Sequence, residues 1–237
     1  YLDGGNYPTG SSRRIAETIS DLIEKKEGVL AVNAPVSRIK IENGSAVGVT
    51  MENGDEIEAE TVISNAGVVN TIEKLLDDEN SDTRIKENLQ KINQTESYVC
   101  LHIGLNKSAK DLGLSNTNLW IYPGYDHDQN VKSYIENQTT DFPVVYVSFP
   151  SAKDKAWNEN HSGCATMEAI TFSSWDWYSN WQESPWKKRG QEYEQEKQKL
   201  SNRILDIVTK EVPNIQTSID YKELSTPLTI RDLANYQ

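Results

Sequence analysis

GVLAVNAPVSRIKIENGSAVGVTMENGDEIEAETVISNAG, residues 28–67, is the stretch on which the fold turns. Val29 to Val32 is a short apolar run of the kind used by a strand buried on both faces. From Val36 to Glu42 the residues alternate. Val36, Arg38, Lys40 and Glu42 fall on one side, and Ser37, Ile39 and Ile41 on the other. Asn43-Gly44 and Asn53-Gly54 are hairpin signals, because tight turns need positive φ and Asn and Gly adopt it at least cost. Ala46, Val47 and Val49 mark a strand between the two turns, and Glu56 to Glu60 a third strand. Val62 to Ser64 is apolar again and ends in Asn65-Ala66-Gly67. The pattern predicts a three-stranded meander spliced between two core strands, with 29–32 and 62–64 as neighbours in one sheet.

Upstream lies YPTGSSRRIAETI, residues 7–19, a Pro-Gly turn before helical spacing at Ile15, Ile19, Leu22 and Ile23. A phosphate-binding turn would need more glycine: GGNYPTG, residues 4–10, fits neither GxGxxG nor GxxxxGK[ST]. Ser11 or Ser12 is suited instead to accept from the first free N–H groups of the helix.

Downstream, helical spacing returns over 71–76 and 84–92. Strand patterns follow at 97–105, 119–122, 144–149 and 165–172, which predicts one mostly antiparallel sheet with a covered face. Residues 187–211 are rich in Lys, Glu and Gln and carry an apolar stripe of Leu200, Ile204, Ile207 and Val208. That is a long amphipathic helix ended by Pro213, expected to bury its stripe on the sheet. The fold class is therefore α+β, with part of a nucleotide-binding layer ahead of a sheet-and-helix domain.

The net charge of −12 over 237 residues argues against nucleic acid, whose phosphates demand a basic face. No apolar run reaches the length needed to span a bilayer. Cys100 and Cys164 lie far apart without a CxxC pair, which reads as small buried thiols in a reducing compartment. His102, His127 and His161 lack metal-ligand spacing, so no metal site is expected. Four of the six tryptophans, Trp175, Trp177, Trp181 and Trp186, crowd next to Lys187, Lys188 and Arg189. They could form an apolar wall for a ligand, a patch that dips into a bilayer, or packing between sheet and helix. No Ser/His/Asp arrangement or isolated carboxylate pair stands out. Tyr7 and His102 do not enter as catalytic residues on spacing alone.

Taken in order, several segments resemble one family. YPTGSSRRIAETI is similar to the YP-x-GG-S-x-x-IA segment of flavoproteins of the phytoene desaturase, carotenoid isomerase and retinol saturase family. VNAPVSRI, GSAVGVTMENG and VISNAGVVNTIEKLL continue the likeness. FPSAKDKAWNENHSG, SSWDWYSNWQESPWKKRGQEYEQEKQKL and STPLT resemble the retinol-saturase-like branch most.

The resemblance implies an α/β flavoprotein fragment. Residues 1–67 would be a partial FAD-binding region with a Rossmann-like layer and the meander. Residues 68–224 would be the substrate domain, and 225–237 the start of a return to the FAD-binding domain. It implies FAD in the full-length protein, contacted by Pro35 and Val36 near the adenine end and by Ser64, Asn65, Ala66 and Gly67 where a strand ends. An ordinary strand start and a plain turn are the alternatives at those two places. NAD(P)H is the implied electron donor. The substrate would be an apolar polyene lined by Tyr7, Trp175, Trp177 and Trp181, and saturated, desaturated or isomerised at a C=C bond. A non-catalytic lipid- or partner-binding module and an amine oxidase-like flavoenzyme are the other readings. The expected location is cytoplasmic or at a membrane surface. The family's GxGxxG turn is not among these residues, Ser11 stands where a second glycine is common, and the chain reads as an internal fragment. On that basis it should hold FAD poorly by itself and show no turnover.

Overall fold

The computed structural model describes residues 5–77, 79, 83–92 and 96–234. The chain divides into two compact units, one of residues 1–21 with 96–234 and the other of 22–95 with 235–237. The sequence placed a break after Gly67. In the structure, the helical turns that follow Gly67 pack on the meander, and Arg38 Nη1 lies 3.5 Å from Asp77 Oδ2. Part of the expected 1–67 and 225–237 segments, residues 1–4 and 235–237, lies outside the described residues.

The meander forms as its turns dictate. Strands β1 (Val36–Glu42), β2 (Ser45–Met51) and β3 (Glu56–Glu58) pair antiparallel in that order. Asn43 at φ 50° and Gly44 at φ 77° make the two-residue turn, with Glu42 opposite Ser45. In the second turn the Asp55 N–H donates to Asn53 Oδ1 at 3.1 Å, and Gly54 takes φ 90°. Gly48 follows a register shift in β2 and pairs Lys40 on one side and Glu58 on the other. A Cβ there would stand 2.2 Å from the Ile57 carbonyl oxygen, so only glycine lets β3 close on β2.

The two flanking core strands do not form. Residues 29–32 and 62–64 lie outside every strand, with Val29 91%, Val32 76% and Ile63 90% exposed. An apolar run becomes a buried strand only when neighbours take up its backbone groups and side chains. Among the described residues no segment does so. Helix α1 (Arg13–Lys25) likewise has no buried residue, and Ile15, Ile19 and Leu22 of its stripe are more than half exposed. Ser11 supplies its cap as expected, accepting from the Arg13 N–H at 3.4 Å.

The larger unit holds the main core. Strands β4 (Ser97–Leu105), β5 (Leu119–Ile121), β6 (Val145–Ser148), β7 (Ala165–Ser173) and β8 (Ile219–Ser225) form one antiparallel sheet, ordered β5-β6-β7-β4-β8. The four expected strands are present. β8 is an addition whose polar sequence, IDYKELS, hides it, as edge strands often do. Helix α2 (His127–Glu136) is capped by Asp126, which accepts from the Gln129 N–H at 3.0 Å. The long helix α3 (Gly190–Glu211) buries Ile204 and Val208 completely, with Leu200 and Ile207 half-buried beside them. Arg203 fastens α3 from the side by donating to the carbonyls of Gln138 and Thr140, each at 2.6 Å. Helix α4 (Pro227–Ala234) is tied to the start of α3 by a buried Arg189–Asp232 ion pair. Tyr193 Oη and Thr226 Oγ1 share a hydrogen bond of 2.7 Å nearby.

Candidate functional site

Residues directly opposite one another in an antiparallel sheet share a face, so the register turns this sheet into rows. Leu119, Val147, Ala169, Leu101 and Leu224 make a row on the face packed into the core. The next row, on the other face, is Trp120, Tyr146, Ile170, Cys100 and Ser225. Beside it runs a polar row of Ser148, Glu168, His102 and Glu223. Only the first face carries the α3 core. On the second, Trp120 is 61% and Tyr98 46% exposed.

The polar row is a connected set of charges. His102 Nε2 lies 3.1 Å from Ser225 Oγ, and His102 Nδ1 lies 3.6 Å from Glu168 Oε1. The Cys100 sulfur at 3.9 Å and the Glu168 carboxylate together push the His102 imidazole up to about 10. The Cys100 sulfur favours the protonated ring through its contact, and the Glu168 carboxylate through its charge. Glu168 is held below the usual carboxylate range first by its contact with His102. Lys153 donates to Ser148 Oγ at 2.9 Å and to Asn118 Oδ1. Burial lowers its ammonium, with Glu168 acting in the opposite direction. Glu223 turns to another partner and pairs with Lys197 on α3.

Tyr7 joins this cluster through the YPTG turn. The Gly10 N–H donates to Asp154 Oδ1 at 2.8 Å, which pins the turn to the segment after β6. The Lys153 ammonium sits over the Tyr7 ring at 5.9 Å. Burial and then the charges of Asp154 and Glu168 raise the Tyr7 phenol.

The other sequence candidates fall elsewhere. Trp175, Trp177 and Trp181 lie on one 3-10 helix, Trp175–Trp181, and pack against the core. Trp177 meets Tyr134 edge-on at 5.4 Å, and Trp181 meets Tyr193 at 5.6 Å. Their packing role is thus satisfied within the fold. Trp177 and Trp181 also border a separate cleft of about 380 Å³ with Gln138 and Glu192. Trp186, 46% exposed, lies under the Lys187 ammonium. Cys100 is buried as expected, whereas Cys164 is only half-buried and donates to the His161 carbonyl at 3.3 Å. Among the described residues there is no metal-binding group of His, Cys, Asp and Glu.

In the smaller unit, Pro35 lines a cleft of about 840 Å³ with Ala31, Asn33, Ala34 and the acidic Glu52, Asp55 and Glu56. Val36 opens β1 opposite Met51. Ser64 to Gly67 form the loop before the helical turn Val68–Asn70. The Ser64 and Thr71 hydroxyls hydrogen-bond at 2.7 Å, and Thr71 donates to the Gly67 carbonyl at 2.7 Å. Gly67 takes φ 88°, and a Cβ there would find nothing closer than 3.9 Å. A ligand can therefore approach this backbone closely, and glycine alone holds the conformation without strain. These residues suit one flank of a dinucleotide. The carboxylates of the Pro35 cleft suit hydroxyl or amino groups and would repel a diphosphate.

The family model for flavin-containing amine oxidoreductases matches residues 3–189. The all-trans-retinol 13,14-reductase of Danio rerio is 34% identical over 97% of this chain and 39% of its own length. The chloroplastic prolycopene isomerase of Daucus carota is 29% identical over 98% of this chain and 35% of its own length. The crystal structure of an oxidoreductase from Methanosarcina mazei superposes with a TM-score of 0.61 at 15% identity, covering 93% of this chain and 43% of that one. The chain thus spans about two fifths of the length of the curated relatives it matches.

Proposed function

This chain belongs to the flavin-containing amine oxidoreductase family, and from that premise we propose that the whole protein is an FAD-dependent oxidoreductase acting on C=C bonds of a retinoid- or carotenoid-like polyene. The observation that carries the reading is the 34% identity to a retinol 13,14-reductase, spread over 97% of this chain. The likeness to a prolycopene isomerase supports the substrate class and leaves saturation, desaturation and isomerisation as the three reactions of interest.

In this reading Pro35 and Val36 hold the adenine end of FAD, and the small residues Ser64, Asn65, Ala66 and Gly67 let its backbone-facing side come close. Carboxylates around Pro35 favour the hydroxyl-bearing part over the phosphates. When bound, the flavin supplies hydride chemistry that no side chain can perform. The chain's own contribution is to orient the polyene and exclude water, and the open sheet face with Trp120, Tyr146 and Ile170 has the apolar surface for it. NAD(P)H is the proposed electron donor. The location is the cytoplasm or a membrane surface; among the described residues no helix is long and apolar enough to cross a membrane.

The test is a side-by-side turnover assay of the full-length protein with all-trans-retinol, a carotene and a panel of amines, with flavin absorption recorded. A flavin band with consumption of a polyene is the expected result. Oxidation of amines alone would favour the amine oxidase-like reading, and a colourless, inactive protein would favour a lipid-binding module.

A further inference from the structure

The open face of the larger sheet is organised along one direction. Its central row begins with Trp120 at the β5 edge, continues through Tyr146, Ile170 and Cys100, and ends at Ser225 on β8. Five strands make this row about 19 Å long. Four positions are aromatic, aliphatic or thiol, and the fifth is a hydroxyl; Trp120 is exposed, Tyr146, Ile170 and Ser225 are half-buried, and Cys100 is buried between the last two.

That hydroxyl and the Cys100 sulfur both contact the His102 imidazole, at 3.1 Å and 3.9 Å. A protonated imidazole has two donors and no acceptor. One His102 N–H is directed to Ser225 Oγ at 3.1 Å, and the other faces Glu168. With the ring in its charged form, which Cys100 and Glu168 favour, Ser225 Oγ receives this hydrogen bond and its own hydrogen remains to be donated. Among the described residues it has no other hydrogen-bond partner. The titratable groups around His102 are Cys100 on its own strand, Glu168 on β7 and Glu223 on β8, the last engaged by Lys197.

The arrangement Ser225–His102–Glu168 has the connectivity of a nucleophile with its base and orienting acid. Its protonation state excludes that use. With the imidazole raised toward its charged form by Cys100 and Glu168, His102 is a poor base for the serine proton at neutral pH. The same upward shift carries it away from the matched acidity that general acid catalysis favours. What is left is a polarised hydroxyl donor at the end of an apolar row.

We propose that Ser225, held by His102 and Glu168, is the anchor for a terminal oxygen of an otherwise apolar, rod-shaped ligand that lies along the row from Ser225 toward Trp120. The ligand is a polyene alcohol or its carbonyl equivalent rather than a pure hydrocarbon. The Ser225 hydroxyl donates to that oxygen, and the aromatic row takes the chain. This rests on the polyene reading above and narrows it to oxygen-ended substrates.

The test is equilibrium binding to the full-length protein of two probes, all-trans-retinol and the same polyene lacking the hydroxyl, followed by quenching of tryptophan fluorescence. Wild type should bind the alcohol more tightly. Ser225→Ala should weaken the alcohol roughly tenfold, in line with the loss of one hydrogen bond strengthened by a charged neighbour, and change the hydrocarbon less than twofold. Ser225→Thr, which keeps the hydroxyl, should restore most of the preference, and His102→Gln should lose most of it. Equal affinity of wild type for the two probes, or equal losses for both in Ser225→Ala, would overturn the anchor and leave the polyene reading standing. Binding of neither probe by wild type would overturn both.

Discussion

Replacing Glu168 by Gln removes one charge from the sheet face and keeps its volume. Glu168 Oε1 lies 3.6 Å from His102 Nδ1. At that separation two unit charges attract by about 1 kcal/mol in bulk water and about 5 kcal/mol at an effective dielectric constant of 20. The two side chains are 42% and 40% exposed, so solvent screening places the pair toward the lower figure. A loss of about 1–2 kcal/mol corresponds to a fall of about one pKa unit for His102, whose imidazole is raised above its ordinary value in the wild type. The measurement is an NMR titration of the imidazole ring protons. The chain has three histidines, so comparison with His102→Gln identifies the signal. Because the folded value is raised, the stabilisation is complete below the unfolded value of about 6.5 and fades as pH climbs through the folded one. The stability gap between wild type and Glu168→Gln should therefore be widest near about pH 6 and close at alkaline pH as the ring loses its proton. Cys100→Ala, which removes the sulfur, should lower the His102 value less. If Cys100→Ala lowers it as much as Glu168→Gln, or if Glu168→Gln leaves it in place, the carboxylate is not what keeps the ring charged.

Two further substitutions probe the two units separately. Ile204→Ala empties a fully buried site between α3 and the sheet and should cost about 2–5 kcal/mol in denaturant unfolding; a loss below about 1 kcal/mol would mean that the helix does not seal the core. Gly48→Ala places a Cβ against the Ile57 carbonyl oxygen, so hydrogen exchange should rise sharply across β2 and β3 while β4 and β7 keep their protection. Unchanged protection in β3 would show that the meander can absorb the methyl.

Legibility in the sequence followed the range of the forces involved. The Asn-Gly turns of the meander and the α3 stripe are local patterns, set within a few residues, and the structure reproduces them. The runs at 29–32 and 62–64 are just as apolar, but a core strand is defined by its neighbours, and here they remain exposed. β8 leaves no pattern in the sequence because only Leu224 of its seven residues is buried, so apolar and polar residues do not alternate along it. The Trp-rich stretch showed its aromatic content but not its destination, which is packing on Tyr134 and Tyr193. The anchor cluster was invisible for a different reason. His102 and Ser225 lie 123 residues apart, and nothing near either predicts the other. A row of directly paired strand positions becomes readable only when the sheet order is known.

That sheet order also sets a timetable. β4 lies between β7 and β8, yet β8 is the last of the described strands of this sheet to be made. A ribosome adding about 5–20 residues per second leaves the β8 side of β4 without its partner for about 6–25 s after His102 appears. Through that interval β4 offers a row of unsatisfied backbone groups beside Val99, Leu101 and Ile103, a template that any other extended chain could take up. Both edges of β4 stay open until Ala165–Ser173 is made, and the β8 side alone stays open until Ile219–Ser225 arrives. The hydroxyl that completes the open face is delivered by the same strand that closes this side of β4.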